Sequence, residues 1–488
     1  MATAAFAMAL VAAGCSSADD DDDDVSTEET TADDDTDTTE AGDDDAPVEG
    51  EEGSTEAAQA AVDEILDRPE AVEGETTRGV TDTEITIKGV TALTTPAGIE
   101  PFPGMCEGAQ ARFERYNREK AADARTINYL GCEDDTSDRD RNRQLMQEAV
   151  EEDEAFAIVP VTSQGFFSED YLNEEHVPYI GFGFQPGFCG YEYPFAFGMS
   201  GAASCDALDD NYLVSQTLGG VYVDGAGVDP ADMKVAIIAE DNPAGETGVV
   251  VVAQGVEAAG GEVVYSDNPL PPASATPVTD YTPFATNILD GNPTLVMLVT
   301  SDAPIIGLTT ALRANGYTGD IMNFVYSDGR IFLQPGNNET LSGVFTVSQG
   351  VGAAVNGGDA FTQIADDLKA AGVEQYGQFP LATDPTTLTS GVLYGYGSAD
   401  LFLAALAETP EPLTAEAFAN TINGGFSYPG LGEALCPTLW PLQHLIGTPC
   451  ASMIKVVSDG QNPISNSPIG FFEPATELTV YPLNLVEK

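Results

Sequence analysis

The chain has 488 residues, 42% of them apolar and 8% aromatic, which is too long for one ordinary core and enough to build two or three compact units. Its 80 acidic residues far outnumber its 17 lysines and arginines, giving a formal net charge of -63. That surplus argues against a nucleic-acid partner, because phosphate binding needs clustered Lys and Arg and the sequence shows no basic patch.

The first 14 residues are apolar but too few to span a bilayer, which takes roughly 20. They fit the apolar part of a secretory signal. Ala12, Ala13 and Gly14 before Cys15 are similar to a bacterial lipobox, in which the cysteine is lipidated and becomes the new N-terminus. A plain signal peptide with an incidental cysteine is the alternative. Residues 16–77 then carry 26 acidic residues and one basic one, Arg68. A segment this polar cannot bury enough surface to offset its ordering entropy, so it is expected to be a disordered tether. As a flexible coil it would reach about 45 Å, and like-charge repulsion extends it further. Residues 56–67 have the composition of a short helix.

From Arg78 the texture changes to alternating strand and helix signals. EITIKGVTAL reads as a strand, GAQARFERYNRE as a helix, TINYLGCEDD as a strand ending in acids, and RNRQLMQEAVEED as a helix. AFAIVPVTS and VPYIGFGF follow as buried strands. After a passage rich in Pro, Gly and aromatics, residues 186–201, the rhythm resumes. It predicts a helix near Ala207–Leu218, strand KVAIIAED, helix TGVVVVAQGVEAAG, strand EVVYS, strand TLVMLVTSD, helix APIIGLTTALRANG and strand DIMNFVYSD. Strand and helix in alternation mean a parallel sheet covered on both faces. The expected fold class is therefore α/β, with two parallel-sheet lobes. Ligands bind such sheets at the carboxyl ends of their strands, and two such edges make an interlobe cleft closed by a hinge.

Six cysteines remain besides Cys15: Cys106, Cys132, Cys189, Cys205, Cys436 and Cys450. Their order along the chain suggests sequential disulfides, each closing a local loop, although other connectivities stay open. No C-x-x-C occurs and only His176 and His444 exist, so no metal site or cofactor is expected. The sequence also lacks G-x-S-x-G, G-x-x-x-x-G-K-[ST] and an intact G-x-G-x-x-G. With so few histidines, acid–base chemistry has few candidates, and no enzyme is expected.

RGVTDTEITIKGVTALTTPAG, the acids of TINYLGCEDD with the S-D-R-D-R that follows, AFAIVPVTSQG, VPYIGFG and KVAIIAEDNPAGETG together resemble the leucine/isoleucine/valine-binding type of ABC-transporter solute-binding proteins, of type I periplasmic-binding-protein fold. The likeness runs in order over about residues 78–460. It implies that lobe 1 comprises residues 78–200 and 351–425, and lobe 2 residues 201–350 and 426–488. It implies a first-lobe site at Thr95, Thr162 and Ser163, with backbone groups at Gly183 and Phe184, holding a ligand carboxylate. In the second lobe it implies Ser301, Asp302 and Asp328, the last pairing with an α-ammonium group. The pattern departs from the family at Asn242-Pro-Ala-Gly245, where Ala244 replaces an aromatic. Tyr394 and Tyr396 read as helix-to-sheet packing, and Trp440 and His444 as loop packing around a disulfide.

The resemblance implies an extracytoplasmic receptor lipid-anchored to the cell membrane through Cys15. It would bind a small polar solute such as an amino acid or amide and serve an ABC permease and its ATPase, as a monomer. A sensory or interaction module of the same fold is the alternative function.

Overall fold

The computed structural model describes residues 69–94, 102–202, 211–267, 269–271, 278–300, 302–323, 337–349, 359–373, 375–376, 379–380, 388–457, 472–476, 479–481 and 483–487. Cys15 and the 56–67 helix lie outside them.

Lobe 1 begins with β1 (Glu84–Thr91), α1 (Met105–Glu119), β2 (Thr126–Asp134), α2 (Arg139–Glu151), β3 (Ala157–Thr162), α3 (Glu169–Glu174), β4 (Tyr179–Gly183) and β5 (Ala196–Ala202). The strands form one parallel sheet in the order β2-β1-β3-β4-β5. β3 is buried at every position, as expected of a central strand covered on both faces. Gly181 is needed where β4 meets β3, since a Cβ there would stand 1.6 Å from the Val161 carbonyl oxygen. Asp138 starts α2 by accepting the Arg141 N–H at 2.8 Å.

Lobe 2 follows with β6 (Asn211–Ser215), α4 (Thr217–Ala226), β7 (Lys234–Ala239), α5 (Pro243–Ala258), β8 (Glu262–Tyr265), α6 (Thr282–Asp290), β9 (Leu295–Val299), α7 (Asp302–Ala314), β10 (Asp320–Asn323), α8 (Asn337–Thr340) and β11 (Phe345–Ser348). The helix expected near Ala207–Leu218 is displaced: β6 occupies its middle and α4 starts only at Thr217. Val221 and Tyr222, beyond the expected end, carry the buried face, so tertiary burial sets the helix further along the chain.

The chain then returns to lobe 1. α9 (Asp359–Ala370), the short strands β12 (Gln375–Tyr376) and β13 (Phe379–Pro380), α10 (Ser390–Glu408) and α11 (Ala415–Asn423) come next, and α9, α10 and α11 bury their apolar faces in the first-lobe cores. α10 lies against α1 at glycine distance: a Cβ on Gly395 would sit 1.8 Å from the Met105 carbonyl oxygen. β14 (Ser427–Tyr428) and β15 (Thr438–Leu439) pair as a ribbon, after which β16 (Cys450–Val456), β17 (Phe472–Pro474) and β18 (Thr479–Val480) join lobe 2. β16 pairs antiparallel to β11, so the second sheet runs β17-β16-β11-β10-β9-β7-β8, parallel from β11 through to β8 and antiparallel at its β16–β17 end. β19 (Leu483–Glu487) pairs with β6.

Two expected boundaries shift. Residues 426–446, assigned above to lobe 2, pack in lobe 1: Phe426, Tyr428, Leu435 and Trp440 belong to its largest core cluster. Burying that aromatic surface against β5 and α10 outweighs sequence proximity to β16. At the other end, residues 69–77 of the expected tether are docked on α11. Asn420 exchanges two hydrogen bonds with the Val72 backbone, at 2.8 and 2.9 Å, and Glu416 accepts the Thr76 N–H at 2.8 Å and its hydroxyl at 2.7 Å.

Disulfides join Cys106 to Cys132 and Cys436 to Cys450. Cys189 is also disulfide-bonded, and Cys205 lies outside the described residues. Cys436 sits beside the first-lobe core, whereas Cys450 opens β16 in the second sheet, so this bridge straddles a crossover. The Cys436 N–H also donates to the Gln349 carbonyl, 3.0 Å away, just beyond β11.

Candidate functional site

The candidate site is built from the carboxyl edges of the two sheets, where the strand-to-helix loops converge. On lobe 1, β2 ends in two adjacent acids. Asp134 Oδ1 accepts the Leu93 and Thr94 N–H groups at 2.9 and 3.2 Å, and Thr94 Oγ1 donates to its Oδ2 at 2.5 Å. These contacts fold the end of β1 over the sheet edge. Asp135 is fully buried and accepts the Ser137 N–H at 2.9 Å and the Asn142 amide at 2.8 Å. Burial pushes its carboxyl up, and hydrogen bonds from Ser163, Asn142 and Ser137 oppose that rise. Ser168 continues the network by donating to Asn142 Oδ1 at 2.8 Å.

Thr162 and Ser163 end β3 beside these acids, each only 1% exposed. The Thr162 hydroxyl donates to the Val161 carbonyl at 2.6 Å and accepts the Phe182 N–H at 3.1 Å. Ser163 Oγ accepts the Gly165 N–H at 2.9 Å, in addition to its contact with Asp135. Gln185 donates to the Ser163 carbonyl at 3.1 Å. Both hydroxyls are therefore turned toward their own lobe.

An aromatic group stands next to them. Phe182 and Phe184, half-buried at the end of β4, lie 5.8 Å apart by ring centroid, and Phe182 stacks on Tyr394 of α10 at 4.4 Å. Phe102, at the entry of α1, is 6.1 Å from Phe184. The entry of α1, the end of β4 and one returning helix thus supply one apolar wall.

On lobe 2, β7 ends at Ala239 with Glu240 buried behind it, and Asn242 caps α5 by accepting the Gly245 N–H at 2.8 Å. β9 and β10 end in buried Thr300 and Asn323. Asp302 is the first residue of α7. Thr95, Ser301 and Asp328 lie outside the described residues.

The structure brings Thr162, Ser163, Gly183 and Phe184 together on one edge. The sequence reading missed roles for Asp134, Asp135, Phe102 and Phe182. The acids were visible as the end of a strand, but their partners at Leu93, Thr94 and Asn142 are distant in sequence or across a loop. Among the described residues, no group of His, Cys, Asp and Glu side chains could hold a metal ion.

The family model described as "Periplasmic binding protein" matches residues 84–458. The chain belongs to the periplasmic binding protein family. Its members are solute-binding receptors of ABC transporters, which bind their solutes without transforming them. No curated protein sequence matches this binding protein. Among solved structures it is similar to a fatty acid ABC transporter substrate-binding protein from Thermomonospora curvata, 16% identical with a TM-score of 0.62, covering 83% of this chain and 95% of that one. A solute-binding protein of R. palustris in complex with 4-hydroxybenzoate is 16% identical, with a TM-score of 0.58 over 82% of this chain and 97% of its own. A possible leucine/isoleucine/valine-binding protein from Rhodopirellula baltica is 15% identical, with a TM-score of 0.58 over 78% and 95%. At such identities the likeness establishes the two-lobed fold.

Proposed function

We propose that the protein is the extracytoplasmic receptor of an ABC importer, anchored to the membrane through a lipid on Cys15, and that it captures a small polar solute with an apolar or aromatic body. The family match across both sheets carries this reading. The half-buried rings of Phe182 and Phe184, side by side at a strand's carboxyl end, support the apolar body. Burying such a body against two rings releases water from both, a gain of roughly 25 cal/mol per Å² of apolar surface. The closed receptor then presents its solute to a permease and its ATPase.

Amino acids, amides and related compounds are the solutes to try first, with small carboxylates and sugars beside them. The test is thermal unfolding of the oxidised full chain in about molar salt against that panel. A ligand held only by the native state at 100 times its dissociation constant adds about 2.7 kcal/mol, a shift of several degrees. A shift confined to one chemical class supports the receptor reading. No shift across the panel, with the protein folded, counts against it and favours a module that signals through a partner.

A further inference from the structure

Three buried polar atoms of lobe 1 have no hydrogen-bond partner within the protein: Thr438 Oγ1, Trp440 Nε1 and His444 Nδ1. Their residues are 0%, 1% and 0% exposed, so bulk solvent does not reach them. Taking such groups out of water without a replacement bond carries their full desolvation cost, and native structures seldom bear it repeatedly within one short stretch.

The fold of residues 438–444 gathers the three atoms. Thr438 pairs with Tyr428 across the β14–β15 ribbon, and the Trp440 backbone N–H continues the pairing, 2.9 Å from the Phe426 carbonyl. Alternate residues of an extended stretch point to one side, so the hydroxyl and the indole leave it together. The chain then turns at Leu442–His444 and brings the imidazole back against the indole, with ring centroids 5.0 Å apart. The Gly190 N–H, 2.8 Å from the His444 carbonyl, holds the turn in place. Phe197 closes another side, 5.3 Å from Trp440 and 5.8 Å from His444.

Hydrogen bonds fix the role of each ring atom. A carbonyl only accepts, so the Asn423 atom 2.9 Å from the Pro194 carbonyl is its amide nitrogen, and its oxygen faces His444 Nε2 at 2.7 Å. Nε2 therefore carries the ring's proton. Burial pulls the pKa of the ring down to about 3, so it stays neutral and Nδ1 keeps a bare lone pair. The indole N–H can only donate. One acceptor and one donor thus stand beside a hydroxyl that can act as either. A cation would be repelled by the indole N–H and an anion by the imidazole lone pair. A neutral molecule that both donates and accepts suits the two atoms, and in a close-packed core the smallest such molecule is water.

We infer that lobe 1 contains a buried water site formed by Thr438 Oγ1, Trp440 Nε1 and His444 Nδ1, in which water donates to the imidazole and accepts from the indole. About three partners is the usual complement of a buried water. The site fastens the last stretch of lobe 1 just ahead of the crossing to β16, whichever solute the receptor takes.

The sequence holds one tryptophan and two histidines, so the rings can be observed singly in the oxidised, isotope-labelled full chain, with His176→Gln assigning the second imidazole. Nuclear magnetic resonance should show through-space transfer from water to the Trp440 indole N–H. The His444 ring should be protonated at Nε2, with Nδ1 shifted upfield of a bare imine nitrogen. Thr438→Val gives a separate reading. Where the hydroxyl holds water the variant's thermal midpoint falls, whereas deleting an unpartnered hydroxyl leaves the midpoint unchanged or raises it. No transfer from water to the indole overturns the inference, and so does an Nδ1 signal at the position of a bare imine nitrogen. A Thr438→Val midpoint that stays level or rises overturns it as well. None of these outcomes bears on the receptor reading.

Discussion

The two lobes share one construction but neutralise their charge differently. Residues 78–200 hold 22 acids and 10 bases, whereas residues 201–350 hold 18 acids and 3 bases. Among the described residues every ion pair lies in lobe 1. Several of these tie the late helices to the early ones: Arg112 meets Asp400 at 2.6 Å, and Asp367, nearly buried, receives Arg118 at 3.0 Å and Arg115 at 3.5 Å. The described residues of lobe 2 show no such pairs. Its acids are met by tyrosines, with Tyr222 donating to Asp320 at 2.7 Å and Tyr481 to Asp224 at 3.0 Å. Its few cations go elsewhere, Arg313 to the carbonyls of Tyr317 and Gly319 and Lys455 over the ring of Phe345. Lobe 1 is assembled from two separate stretches of chain, and the pairs at Asp400 and Asp367, with Arg125 to Glu411 and His176 to Glu416, tie one stretch to the other. Lobe 2 keeps uncompensated acids and depends more on salt screening.

The largest expected effect comes from breaking the aromatic seam of lobe 1. Phe402 of α10 lies 6.0 Å from Phe113, 6.2 Å from Phe156 and 5.2 Å from Phe418, joining the late stretch of the lobe to the early one. Phe402→Ala should cost about 3–5 kcal/mol. Hydrogen exchange should show protection lost in β1, β3 and α11 while β7 and β9 keep theirs; equal loss in both sheets would show that the lobes unfold as one unit. Next, replacing Cys436 and Cys450 by serine opens a short loop and should cost about 3 kcal/mol. Because the bridge straddles a crossover, its loss should also separate the two lobes' transitions in a calorimetric scan. A scan that drops in temperature without broadening would place its role within one lobe.

Acid should strain lobe 1 through His444. The ring is fully buried, its Nε2 lies 2.7 Å from Asn423 Oδ1, and burial pulls its pKa down to about 3. The unfolded chain takes up that proton near pH 6.5 and the folded chain does not, so stability falls as pH drops from about 6.5 toward 3, by up to about 1.4 kcal/mol per unit. Denaturant titrations at pH 7 and 5 measure the slope, and His444→Phe should flatten it. The smallest effect belongs to lobe 2. Tyr222→Phe should cost about 1 kcal/mol, and the loss should grow as salt is lowered, since Asp320 is then left without its donor. A loss that does not vary with salt would mean that tyrosine hydroxyls do not stand in for cations here.

Much of this molecule was legible in its residues. β3, β4, β7 and β9 are runs such as AFAIVPVTS and TLVMLVTSD, apolar throughout because both faces of a parallel strand are covered, and a local pattern suffices to find them. Helices α5 and α7 were legible through their spacing. The helix near Ala207 was misplaced because its buried face, Val221 and Tyr222, is chosen by a core that sequence neighbours do not reveal. The same holds for residues 426–446, whose Trp440 stands 5.3 Å from Phe197, a residue of β5 more than two hundred positions earlier.

For the site, the sequence by itself determined the places: which loops follow which strands, hence that Thr162, Ser163, Gly183 and Phe184 share an edge. Only the tertiary structure decided what those places can do. Whether a hydroxyl is free to bind depends on who already holds it, and for Thr162 these are the Val161 carbonyl, which takes its proton, and the Phe182 N–H, 20 positions away on the neighbouring strand, which takes a lone pair. Strand order is written locally in hydrophobic period and turn chemistry, whereas hydrogen-bond partners are assigned by the packing of loops that meet only once the sheet has formed.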